Sequence, residues 1–146
     1  MLKEKKIWIM LFTVFTLIVI FTGCSSLPKT VKVTISITPN PVPYDPVDQD
    51  WPYELTLGES NGVGVTLVSL RMDKYDQEEE LFDTQLLYEE DIVDWFDSNY
   101  LPAFSSLQVN LYHTSAKIIY ELLTLAGIDD NDHSIEATYR VDFLPE

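Results

Sequence analysis

The sequence predicts an all-β domain, a two-layer sandwich of about seven short strands with one short helical turn, lying behind an N-terminal leader. Three observations point there. Apolar and polar residues alternate over several short runs; Gly, Pro, Asn and Asp separate those runs at roughly 8 to 15-residue spacing; and a single stretch, Glu89 to Ser98, switches to a helical period. A chain of 146 residues has room for one domain plus a leader. With 46% apolar and 12% aromatic residues it can bury a core, which a disordered chain cannot.

The leader comes first. Residues 1 to 6, MLKEKK, are basic, and Ile7 to Phe21 is a 15-residue apolar run broken only by Thr13 and Thr16. A spanning helix needs about 20 such residues, so this run reads as the apolar part of a signal peptide. Phe21-Thr22-Gly23-Cys24 follows, and it resembles the lipobox of bacterial lipoproteins, with Phe21 where Leu is commonest. That resemblance implies that the Cys24 thiol carries diacylglycerol and that cleavage between Gly23 and Cys24 removes residues 1–23. It also implies that the domain is exported and held outside the cytoplasm on a cell membrane or outer membrane, with the membrane as partner. Two acyl chains suffice for stable anchoring without a basic patch, because each buried CH₂ contributes about 0.8 kcal/mol. Cys24 is the only cysteine, so the domain forms no internal disulfide and relies on its core.

Residues 24–30 then serve as lipidated cysteine and tether, and residues 31–146 as the sandwich. Val31 to Thr38 alternates strictly, with Val31, Val33, Ile35 and Ile37 on one face. Prolines 39, 41, 43 and 46 end that strand, since each lacks a backbone donor. Trp51 to Leu57 resumes alternation, and Asn61-Gly62 is a tight turn. Val63, Val65 and Leu67 share one phase while Val68, Leu70 and Met72 share the other. That conflict requires a bulge near Leu67-Val68 or a strand covered on both faces. Gln77 to Glu80 is a charged turn before a weaker strand, Leu81 to Tyr88.

Ile92, Trp95, Phe96 and Tyr100 fall at helical spacing behind acidic residues 89 to 91, and Pro102 closes the segment. Leu107, Val109 and Leu111 alternate again. Ile118 to Ala126 suits a helix or a buried strand. The turn Asp129-Asp130-Asn131-Asp132 and the alternating Ile135, Ala137, Tyr139, Val141 and Phe143 favour a closing hairpin.

This layout resembles bacterial immunoglobulin-like and fibronectin type III-like domains. The alternating first strand ends in Pro39-Asn40-Pro41-Val42, Trp51 opens the second, a turn precedes Val63-Gly64-Val65, and a hairpin spans Gly127 to Phe143. The resemblance implies an immunoglobulin-like β-sandwich. The chain departs from antibody domains in lacking the inter-sheet cysteine pair and a tryptophan on the third strand.

Residues 24–146 carry 6 Lys/Arg against 23 Asp/Glu, a net of −17, so no basic face is available to displace counterions from nucleic acid. Nucleophile elbow, phosphate loop, zinc-helix and dinucleotide motifs are all missing, and the expectation is a protein without enzymatic activity or cofactor. His113 and His133 are the only imidazoles, and a zinc site would need both plus carboxylates. For calcium the candidates are Asp129, Asp130 and Asp132, since hard cations take clustered carboxylate oxygens. The spacing departs from an EF-hand loop, with Ile135 at the sixth position and Val141 at the twelfth. Asp45, Asp48 and Asp50 form a second acidic loop, and solvated turns account for both. Trp51, Trp95, Phe96 and Tyr100 could form a ligand platform, but their spacing is accounted for by burial. The function expected is a non-enzymatic binding or envelope-interaction module with a protein or envelope partner. The alternative is a ligand-binding lipoprotein, taking calcium through the acidic loops or carbohydrate through the aromatics.

Overall fold

A computed structural model describes residues 29–145, so the expected signal peptide, the expected lipid attachment at Cys24 and all but the last two residues of the expected tether lie outside the described residues. The strands are β1 (Val33–Thr38), β2 (Trp51–Glu59), β3 (Val65–Tyr75), β4 (Leu81–Tyr88), β5 (Tyr100–Leu101), β6 (Ser106–His113), β7 (Tyr120–Asp129) and β8 (Ser134–Asp142), with one helix, α1 (Glu89–Phe96). They form two antiparallel sheets, ordered β1-β2-β6 and β4-β3-β7-β8, with the two-residue β5 beside the start of β3. Lettered as in immunoglobulin domains this is A-B-E against C′-C-F-G, an immunoglobulin-like sandwich.

Alternation places the core. Ile35 and Ile37 of β1 face Leu57 and Leu55 of β2, which in turn face Leu107 and Val109 of β6. Across the sandwich Leu70 and Met72 of β3 sit opposite Leu125 and Leu123 of β7. All the members from β1, β2, β3 and β7 are buried, and Leu55, Leu57, Leu70, Leu123 and Leu125 are fully so; each such side chain contributes about 1.5–3 kcal/mol. Of Ile118 to Ala126, the part from Tyr120 onward is strand rather than helix, as the hairpin required, and β7 runs on to Asp129. On β8 the alternation holds from Ile135 to Phe143, with Val141 and Phe143 buried and Ile135, Ala137 and Tyr139 packed on the core margin.

The phase conflict in β3 is resolved by a bulge. Pairing with β7 shifts between Leu67 and Ser69, so Val68 is the extra residue, and Leu67 and Leu70 both point inward. The Asn61-Gly62 turn, with Gly62 at φ 82°, carries the chain from one sheet to the other, since β2 and β3 do not pair. After β1 the chain passes through two cis prolyl bonds, before Pro39 and Pro41, and crosses to the second sheet. There Val42 N–H donates to Asp142 at 2.7 Å, and Leu144 N–H to Val42 at 2.9 Å.

Helix α1 closes one open side. Its first turn is acidic, the Asp91 carboxylate accepts the Tyr88 N–H at 3.0 Å, and Ile92 and Phe96 enter the core one turn apart. Asp97, left-handed at φ 60°, ends it two residues before the expected limit. Tyr100, expected on the same apolar stripe, lies instead in β5, exposed, with its hydroxyl 3.1 Å from Asp130. Among the described residues no helix is long and apolar enough to cross a membrane.

Strand direction gives the sandwich two poles. The start of β1, the end of β2, the Asn61-Gly62 turn and the β7–β8 turn gather where the described chain begins, the entry pole: Asn61 Nδ2 donates to Thr30 and Asn131 Nδ2 to Lys29. At the far pole lie the end of β6 and the starts of β2 and β7.

Candidate functional site

The acidic turn at the entry pole is closed on its own backbone by one carboxylate, that of Asp129. Asp129, at the end of the core-facing register of β7, accepts the N–H groups of Asn131 at 2.8 Å and His133 at 2.9 Å. Its pKa is held below the usual carboxylate range, chiefly by the His133 N–H against the opposing effect of burial. Asp130 turns away and accepts from Gly64 N–H at 3.1 Å and from the Tyr100 hydroxyl. Asp132 is exposed, at φ 62°. The three calcium candidates are thus neighbours in sequence whose oxygens do not converge. Among the described residues no group of three or more His, Cys, Asp and Glu could hold a metal ion. Asp45 likewise closes its own loop, accepting the Val47 N–H at 2.8 Å.

Glu59 has a similar place that sequence reasoning missed. The inward phase Tyr53, Leu55, Leu57 ends on it, and it is buried at 4% exposure. Its carboxylate accepts N–H groups of Asn61 at 2.7 Å, Gly62 at 2.8 Å, Phe104 at 3.0 Å and Lys32 at 3.4 Å. Burial pushes its pKa up, and these four donors more than offset that, holding it at about 2.

At the far pole a second buried acid meets side chains instead. Glu121 is fully buried on β7; its Oε1 accepts the Tyr53 hydroxyl at 3.3 Å, and its Oε2 lies 2.8 Å from His113 Nε2. That second approach has no aligned N–H, so Oε2 makes no hydrogen bond. Nε2 is also 3.2 Å from the Tyr53 oxygen. With Tyr53 donating to Glu121, the network closes only with a proton on Nε2. Burial, then the charge of Glu121 and its hydrogen bond, push the Tyr53 hydroxyl far above its ordinary pKa, so it remains a donor. His133 sits at the opposite pole beside Asp129, and the two imidazoles share no site.

The expected aromatic platform does not assemble. Trp51 is buried, donating Nε1–H to Leu144 at 2.7 Å, Phe96 is core, and Tyr100 is at the entry pole. Only Trp95 remains partly open. It lines a groove of about 490 Å³ between the edges of β4 and β6, with Tyr53, Met72 and His113 toward the interior. One wall is Phe82, Asp83 and Gln85 of β4 with Lys74 of β3, whose ammonium donates to Asp83 at 2.7 Å and holds that carboxyl below its ordinary range. The other wall is the six consecutive residues Asn110 to Ser115. Nothing in the sequence marked this groove, because both of its walls are edges of different sheets.

No protein-family model matches the chain, and no curated protein matches it. Solved structures it resembles include a CARDB domain from Pyrococcus furiosus in complex with di-metal ions, at 14% identity and TM-score 0.42, covering 81% of this chain and 97% of that one. The same domain in solution gives 15% identity and TM-score 0.40, covering 81% and 99%. A protein designated ApaA from Bordetella pertussis gives 16% identity and TM-score 0.40, covering 79% and 96%. At these TM-scores the likenesses say nothing of what this chain binds, and its sandwich rests on its own strand order.

Proposed function

We propose that the chain is a lipid-anchored, non-enzymatic binding module, displayed outside the cytoplasm and engaging a protein or envelope partner. The observation that carries this reading is the placement of the chain's entry and the groove at opposite poles. Lys29 follows Cys24 by five residues, so a lipidated Cys24 holds the entry pole within about 18 Å of the bilayer. The nine residues of β2 then lift the groove about 30 Å further out. A module built to present a surface needs this separation. Ser25 directly after the cysteine resembles outer-membrane sorting in two-membrane bacteria; in a one-membrane host the domain faces the outside of the cell membrane.

The test is metabolic labelling with palmitate followed by membrane fractionation. The wild-type chain should incorporate label and sediment with membranes, and Cys24→Ser should remain an unlabelled, uncleaved precursor. Label retained by Cys24→Ser, or wild-type protein in the cytoplasmic fraction, would refute the anchor.

A further inference from the structure

The groove follows the edge of a strand rather than a face of a sheet. A pocket on one face is lined by alternate residues; this one takes the last four residues of β6 in a row, Asn110 to His113, and the two loop residues after them, so it runs along the end of the β6 edge. Ladder phase shows which backbone groups it meets. Glu59 N–H donates to Ser105 at 2.9 Å, and antiparallel bonds recur every second residue, so the bonds to β2 fall on Leu107, Val109, Leu111 and His113. Pro52, which has no N–H, stands opposite Tyr112 at a non-bonded position, as that phase demands. The N–H and C=O groups of Gln108, Asn110 and Tyr112 therefore point away from β2, and no backbone or side-chain partner meets them among the described residues.

Constant-type immunoglobulin domains place a fourth strand at this edge, beside strand E. Here α1 occupies the half nearer the entry pole, burying Ile92 and Phe96, and leaves the far half open. Charge selects the occupant. Glu89, Glu90, Asp91 and Asp94 of α1 are exposed, and no Lys or Arg occurs from Tyr75 to Ala116, while the one lysine in the groove, Lys74, is already paired with Asp83.

We infer that the β6 edge accepts an extended peptide segment bearing basic side chains, which adds as a fourth strand through the outward groups of Asn110 and Tyr112. Its apolar side chains lie against Trp95 and its basic ones meet the acids of α1. This rests on the binding-module reading and names the chemistry of the partner, a short exposed strand-forming segment of a cationic protein.

The test uses the purified full chain in nanodiscs of zwitterionic lipid and a fluorescein-labelled octapeptide of alternating lysine and valine, read by anisotropy. Saturable binding is expected. Methylating the backbone nitrogens of one alternate set of residues should weaken it by at least about tenfold, the weight of one or two backbone hydrogen bonds, whereas methylating the other set should change it less than about twofold. A peptide of alternating glutamate and valine should not bind. Equal effects of the two methylated sets would refute strand addition, and equal binding of the glutamate peptide would refute the basic partner. Displacement by a neutral oligosaccharide would give the groove to a sugar, and self-association that Trp95→Ala abolishes would give it to a second copy; either result overturns the proposal. Palmitate labelling reads the anchor independently, so the two readings fail separately.

Discussion

Glu59 and Glu121 are both carboxylates buried at the end of a core-facing run, one at each pole, yet they are solvated by different means. Around Glu59 four backbone N–H groups converge, two from the sheet-crossing turn, one from Lys32 just before β1 and one from the loop before β6. Around Glu121 there is one hydroxyl, one imidazole and an oxygen with no aligned donor. Backbone donors cannot titrate or rotate away, so the first arrangement is a fixed joint between segments. The second depends on the rotamers of the Tyr53 and His113 side chains, and it lies beside the groove. A buried acid thus fastens one pole and leaves the other adjustable.

The largest test adds a carboxylate that has neither kind of partner. Val141 is fully buried and pairs in register with Glu121, so Val141→Asp places a second acid beside the first and should cost about 4 kcal/mol or more in urea unfolding. Asp142→Val, one residue on, removes only a surface contact with Arg140 and should stay within about 1 kcal/mol. Equal midpoints for the two would show the β8 register to be wrong. Next comes Glu59→Ala, which strands backbone donors at the sheet crossing and should cost about 2–3 kcal/mol. Glu121→Gln keeps an acceptor for Tyr53 and should cost only about 1 kcal/mol. If it costs as much as Glu59→Ala, the contrast between the poles fails.

A further effect is in pH. Glu59 titrates at about 2 when folded against an ordinary 4.5, so its contribution is complete above pH 4.5 and is lost as pH falls toward 2. Asp129 and Asp83, also lowered, add to the same acid loss. Unfolding curves between pH 5 and pH 2 should therefore be steeper for the wild type than for Glu59→Gln. Parallel curves would mean that the backbone donors do not hold the charge.

How much of this was legible depends on how many faces each strand buries. β1, β2 and β8 bury one face, so their period of two was plain, and the two clashing phases around Val68 left a bulge or a strand covered on both faces, of which the structure has the bulge. Glu59 was readable in principle, as the next inward position after Leu57. Glu121 was not, because β7 is the inner neighbour of both β3 and β8, and Ile119, Tyr120, Leu122 and Leu123 leave neither phase polar. β4 was read as a strand with the bounds it has, but its pattern did not tell its buried face: Leu81, Phe82, Leu86 and Tyr88 are exposed, and only Leu87 is buried. Local pattern also carries no information on which edges adjoin, so the groove between β4 and β6 appears only in the assembled sandwich.

The pairing of β1 with β2 has a mechanical consequence. The described chain enters at the start of β1, and β1 runs antiparallel to β2 through six consecutive pairs from Val33–Glu59 to Thr38–Glu54. A pull that enters at the groove and leaves through Lys29 acts along the strands, so it shears β1 past β2, and the pairs resist together instead of opening one at a time. Lys32 N–H bound to Glu59 stands at the loaded end of that ladder. A molecule tethered at this terminus would therefore yield at a high force and slowly, because rupture under load is set by the rate of unfolding and not by the equilibrium stability.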